Sequence, residues 1–171
     1  MEVQVNAEAL KTRLSTLFPD FEANSQVWVY QSNRKLSEQE LTTIGEKLNG
    51  YANRWKAHGT PVKASAALLF EYFVVFVVDA KTPASGCSID ESVSFMKTLQ
   101  DELVLDFFDR LQITYVKDEE ILHAPLSRTK KGLQEGDLDA TDLFFDNSIN
   151  TLNQLRNSWL KPFKNSWLLP K

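Results

Sequence analysis

The longest apolar run of the chain, Phe73 to Val78 (FVVFVV), has no polar position on either alternation. A strand of that kind needs cover on both faces, which predicts the centre of a sheet. The stretch before it places Val62, Ala64, Ala66 and Leu68 on one face, and a tight turn near Phe70 to Tyr72 joins the two into a hairpin. Val27 and Val29 alternate with Trp28 and Tyr30, so Gln26 to Gln31 reads as a third strand, and ITYVK (Ile113 to Lys117) as a fourth. Between the strands the period changes from two to helical. Leu41, Ile44, Leu48, Tyr51 and Trp55 form one stripe, and Ile89, Val93, Met96, Leu99 and Leu103 another. An N-terminal helix carries Leu10, Leu14, Leu17 and Phe18 and ends at Pro19.

Polar residues mark where these helices begin and end. Ser37 and Glu40 have capping-box spacing, and Leu36 and Leu41 have that of a hydrophobic staple. His58, then Gly59 and Pro61, mark the end of that helix, while Gly50 weakens its middle by about 1 kcal/mol relative to Ala. Ser88 and Glu91 repeat the capping-box spacing before the next stripe.

Strand, helix, strand, strand, helix, strand is the order of an α+β, ferredoxin-like (βαββαβ) antiparallel core. The expected layout is one domain over residues 1–171: an N-terminal helix in 1–25, the core in 26–117 and a C-terminal α/β extension in 118–171. The extension shows a helix from Ser127, a strand Asp142 to Asp146 and a helix with Leu152, Leu155 and Trp159. NSWLKP (Asn157 to Pro162) is echoed by NSWLLP (Asn165 to Pro170), with each Trp expected to anchor the chain end. The second face of the apolar strand is left to this extension or to a homodimer packed sheet to sheet.

Composition narrows the class. Among 171 residues, 43% are hydrophobic and 25% charged, the balance of a folded globular chain. The net charge of −4 without a basic stripe argues against nucleic acid, and no run approaches the roughly 20 apolar residues of a membrane span. One cysteine, Cys87, cannot make an internal disulfide; with no signal segment visible, the expected location is cytoplasmic.

In the ferredoxin-like order the end of the first core helix and the start of the second fall at the same end of the sheet. That would gather Trp55, His58 and Gly59 with Asp79, Ser85, Gly86, Cys87, Ser88 and Asp90. Such a rim offers helix N-terminal donors to a small anionic ligand, with Trp55, Ser85, Gly86, Ser88 and Asp90 as its binding residues. The leading expectation is therefore a small-ligand-binding or protein-interaction module. A cysteine- or metal-dependent hydrolase or transferase is the alternative, with Cys87 as nucleophile, His58 as base and Asp79 as orienter or metal ligand. A structural homo-oligomer subunit is the third reading. Each residue also has a plain structural role: Cys as a small core residue, His58 against a helix dipole, Asp79 as a turn former and Ser88 as a cap. No cofactor is identifiable and no metal set is expected.

The segments VWVYQSNR (Val27 to Arg34), Trp55 with His58 and Gly59, SGCSIDESV (Ser85 to Val93) and FFDNS (Phe144 to Ser148) resemble an uncharacterised family of small bacterial proteins. Its members often carry the automatic label "ABC transporter ATPase", and the resemblance implies no catalytic assignment. The residues oppose that label. A P-loop needs G-x-x-x-x-G-K-[ST] to cradle phosphates, and KKGLQEG lacks the Lys and hydroxyl after its second Gly. FVVFVVD imitates the strand of a second nucleotide-binding motif, but Ala80 stands where the catalytic acid belongs.

Overall fold

A computed structural model describes residues 6–57, 60–61, 63–82 and 86–169, and of residues 56, 57, 60, 61 and 86–88 the backbone alone. In chain order the elements are α1 (Ala7–Ser15), β1 (Gln26–Gln31), α2 (Glu38–Arg54), β2 (Lys56–Ala57), β3 (Thr60–Pro61), β4 (Ala64–Leu69), β5 (Phe73–Val78), α3 (Gly86–Leu103), β6 (Gln112–Lys117), β7 (Glu120–Pro125), α4 (Leu126–Glu135), β8 (Leu143–Phe145), α5 (Leu152–Ser158) and β9 (Leu160–Pro162). The architecture is mixed α+β, with antiparallel sheets in the orders β1-β5-β4 and β7-β6-β8-β9 beside the short β2–β3 pairing. Two compact units divide the chain: Phe18–Asp109 with Asn150–Asn153, and Met1–Leu17 with Arg110–Ile149 and Gln154–Lys171.

In the first unit β5 lies between β1 and β4, antiparallel to both, with Val75 opposite Val29 on one side and Ala67 on the other. All six β5 residues are 0% exposed, as an unbroken apolar strand requires. The hairpin turn has Phe70 at φ 55° and Glu71 at φ 65°, closed by the Tyr72 N–H donating to the Leu69 carbonyl at 3.2 Å. Two successive positive φ values match the right-handed twist of a hairpin, although neither residue is the Gly or Asn that adopts them cheaply. Tyr30, Val74, Phe76 and Val78 meet Ile44 and Leu48 of α2 and Met96 and Leu99 of α3 in one core.

The start of α2 follows the sequence signals closely. Ser37 accepts from the Glu40 N–H, the Glu40 carboxylate accepts from the Ser37 N–H at 2.9 Å, and Leu36 is buried. Its end differs. The helix stops at Arg54, ahead of the expected stop at His58 and Gly59, because Trp55 turns extended (φ −67°, ψ 135°) and buries its indole. Helix α3 begins at Gly86, so the backbone of Ser88 lies within its first turn rather than at its cap. The inward stripe of α3 is also rotated from the expected one. Ser92 is buried with Met96 and Leu99, its hydroxyl donating to the Ile89 carbonyl at 2.6 Å, whereas Ile89 and Val93 are half-buried.

The second unit corrects the ferredoxin-like order at its fourth strand. Ile113 to Lys117 forms a strand, but it pairs with β7 and β8 and not with β1. Its hairpin partner β7 was not legible in the sequence, where EILHAP follows Asp118 and Glu119, a turn without Gly but with φ 50° and 61°. Ile113, Leu138, Phe144, Phe163 and Leu168 form the core of this unit, with the Phe144 and Phe163 rings stacked at 5.0 Å. The two echo tryptophans part ways. Trp159 is fully buried and donates from Nε1 to Asn147 Oδ1 at 2.9 Å, whereas Trp167 is 63% exposed with the Lys130 ammonium over its ring.

Candidate functional site

The rim residues expected from the sequence are distributed as follows. Asp79 leaves β5 and ties the chain that follows. Its N–H donates to the Lys63 carbonyl at 2.9 Å, its Oδ1 accepts from the Lys81 N–H at 2.8 Å, and Lys63 Nζ stands 3.6 Å from Oδ2. That is an Asx turn beside an ion pair, with the carboxylate largely enclosed. Trp55 is 3% exposed and packs its ring 5.7 Å from Trp28, 5.8 Å from Tyr51 and 5.9 Å from Phe76. Asp90 is exposed on α3. His58, Gly59 and Ser85 lie outside the described residues, as do the side chains of Gly86, Cys87 and Ser88, so the proposed meeting of His58, Asp79 and Cys87 lies there too. Among the described residues no three of His, Cys, Asp and Glu are placed to hold a metal ion, and no helix is long and apolar enough to cross a membrane.

The polar end of VWVYQSNR has a clear structural use. The Ser32 N–H donates to the Tyr72 carbonyl at 2.7 Å, and the Asn33 N–H to the Asp106 carbonyl at 2.9 Å. Asn33 Oδ1 in turn accepts from the Asp106 N–H at 3.1 Å. Arg34 grips both oxygens of Glu40 at 2.8 and 2.7 Å. The Arg34 guanidinium is the largest cause that takes the Glu40 carboxyl down to about 2, and the hydrogen bonds from Ser37 add to it. These backbone and side-chain groups fasten the end of β1 to the β4–β5 turn, to the segment after α3 and to the α2 cap.

Tyr51 offers a buried polar atom of another kind. Its ring stacks on Phe95 at 4.3 Å, its hydroxyl is buried without a hydrogen-bond partner among the described residues, and burial, then the Glu91 charge, pushes its pKa up to about 12. It therefore stays protonated within an aromatic cluster that welds α2 to α3.

The remaining feature of this unit is the outer edge of β4. The bonds Asp79 N–H to Lys63 carbonyl and Tyr72 N–H to Leu69 carbonyl fix the parity of the strand: odd-numbered residues bond toward β5. Ala64, Ala66 and Leu68 thus direct their N–H and C=O groups outward, and among the described residues nothing hydrogen-bonds to them. The opposite edge of the sheet is treated differently. There the Val27 N–H donates to the Asn150 carbonyl at 3.1 Å, and Gln26 makes a bridge with Thr151.

Natural edge strands are commonly guarded by a charge, a proline or a bulge, and ASAALL has none of these. In the other unit, β7 carries Glu120 and Pro125, and β9 carries Lys161 and Pro162. Ala64 to Leu68 are each half-buried, and α2 packs over the face that carries Ala64, Ala66 and Leu68, with Gly45 facing Leu68. The open groups therefore lie along the strand's side and not on its face. The sequence held the signal, seven small or apolar residues between Lys63 and Glu71, but which strand would stand at the edge follows only from pairing. No protein-family model matches this chain, and no curated protein or solved structure matches it either.

Proposed function

We propose that this protein is a protein-interaction module that takes up an added β-strand along the Ala64–Leu69 edge. The observation that carries the reading is the row of outward backbone groups at Ala64, Ala66 and Leu68 on a strand with no guarding residue. Strand addition draws its affinity from main-chain hydrogen bonds, and an edge held from one side by fully buried β5 is already in the required conformation. On this reading the Phe18–Asp109 unit is a ferredoxin-like arrangement that lacks its fourth strand and presents its second strand for pairing.

Amide hydrogen exchange in dilute protein tests the reading directly. The N–H groups of Ala64, Ala66 and Leu68 are expected to exchange fast, while those of Ser65 and Ala67, which bond to β5, are protected. Uniform protection along all five residues would refute it.

A further inference from the structure

Resting on that reading, we infer that the strand added at the β4 edge is β4 of a second copy of this chain, run antiparallel about a two-fold axis at Ala66. The edge is complementary to itself. In that register Ala66 faces its own counterpart and Ala64 faces Leu68 of the other copy, so the outward residues meet in hydrogen-bonded pairs, with roughly six backbone bonds across the seam. Each contact in the seam joins small or aliphatic side chains, so no charge is opposed or desolvated. The strand is also bracketed by opposite charges, Lys63 (50% exposed) at its start and Glu71 (48% exposed) just past its end.

Antiparallel pairing sets Lys63 of each copy diagonal to Glu71 of the other, within reach of two long side chains. Parallel pairing would set like beside like. Both residues already have partners, Asp79 at 3.6 Å from Lys63 and Lys35 at 3.1 Å from Glu71, so the seam would end in alternating charges at both ends. A foreign peptide is the weaker fit. Strand-adding modules read their ligands through side-chain pockets beside the edge, and alanines with one serine offer none. A two-fold axis through the sheet also keeps both α2 helices on one face, where they meet side by side across the seam.

The test combines sedimentation with a register-specific cross-link. The wild-type chain is expected to pass from monomer to dimer with rising concentration, and Ala66→Pro to weaken the dimer at least about tenfold. Proline removes an N–H that faces outward and is tolerated on an edge strand. In a Cys87→Ala background, the Ser65→Cys/Ala67→Cys double variant is expected to form a disulfide-linked dimer on mild oxidation. Those positions form a non-hydrogen-bonded pair across the seam, with Cα atoms about 4.5 Å apart. Should Ala66→Pro fail to fold, this cross-link still decides.

A monomer at all concentrations with fast-exchanging edge amides would overturn the second copy and leave strand addition standing. A monomer with protected edge amides would overturn both. A dimer that survives Ala66→Pro and gives no cross-link would place the contact elsewhere and overturn this inference.

Discussion

Substituting Val104 by Gly should stabilise the protein, although valine is the larger and more apolar residue. Val104 follows α3 with φ 55°, a left-handed conformation in which a β-branched side chain is a genuine outlier. The cap itself is well made. The Leu105 N–H reaches back to the Gln100 carbonyl at 2.9 Å, the long bond of a Schellman motif, and Leu105 is 8% exposed.

Left-handed backbone costs an L-residue roughly 1–2 kcal/mol, and glycine avoids this cost. Against that, glycine loses about 0.5–1 kcal/mol more backbone entropy on folding. Valine is 85% exposed here, so its own burial contributes only about 0.3 kcal/mol of the roughly 2 available on full burial. The balance is a gain of about 0.5 kcal/mol, or a melting temperature raised by roughly 1–2 °C in a chain of this size. Urea denaturation followed by far-UV circular dichroism, beside Val104→Ala, gives the comparison. Alanine keeps the strained φ and should gain little. If Val104→Gly is no more stable than wild type, or if alanine equals it, the cap strain is not real.

Three further outcomes follow from single residues. Glu40→Gln should lose about 1 kcal/mol at pH 7, modest because Arg34 is half exposed and the pair is screened by solvent. The native carboxyl is lowered from 4.5 to about 2, so its contribution is complete above pH 4.5 and lost as pH falls through 2; the gap between Glu40→Gln and wild type should close over that window in acid titrations monitored by circular dichroism. Trp159→Ala should cost about 3–5 kcal/mol in denaturant titrations while Trp167→Ala stays within about 0.5, since one indole is buried and hydrogen-bonded and the other is mostly in water. Gly136→Ala, at φ 84° after α4, should lower the thermal midpoint by an amount equivalent to about 1 kcal/mol, with no compensating contact because nothing lies within 4 Å of the added Cβ.

What could be read from the sequence was local. Ser37 and Glu40 define a cap with their own side chains, and a short apolar run made only of Val and Phe reads as a covered strand, so β1, α2 and β5 begin where the pattern places them. Pairing is a long-range choice. Nothing within Ile113 to Lys117 says whether it will join β1 or a new hairpin, and the deciding partner β7 was hidden behind Asp118 and Glu119, which take positive φ without the glycine that advertises it. Ser92 was passed over because a hydroxyl does not look like a core residue until it finds the Ile89 carbonyl within its own helix. The polar end of VWVYQSNR, dense in donors and acceptors, serves to lock four segments together. Of the expected rim, Trp55 went to the aromatic core and Asp79 to a turn; both uses were foreseeable from residue type, but which one would prevail depended on neighbours distant in sequence.

The β4 edge owes its suitability for pairing to β5. A free strand pays about 1–2 kcal/mol per residue in backbone entropy when it is ordered by a partner. Here that ordering is already accomplished, because β4 is zipped along its whole length to a strand whose six side chains are wholly removed from water. At about 1.5–3 kcal/mol per buried aliphatic or aromatic side chain, β5 contributes on the order of 10 kcal/mol to holding the sheet. The β4–β5 turn is fastened separately, through Leu36 N–H to the Glu71 carbonyl at 2.9 Å and Ser32 N–H to the Tyr72 carbonyl at 2.7 Å. An incoming strand thus meets a rigid row of donors and acceptors and must supply only its own ordering, which is the condition under which main-chain hydrogen bonds worth about 1 kcal/mol each can sum to a measurable affinity. If the strand is a second β4, it too is already ordered, and the entropic cost of pairing falls to that of bringing two folded bodies together.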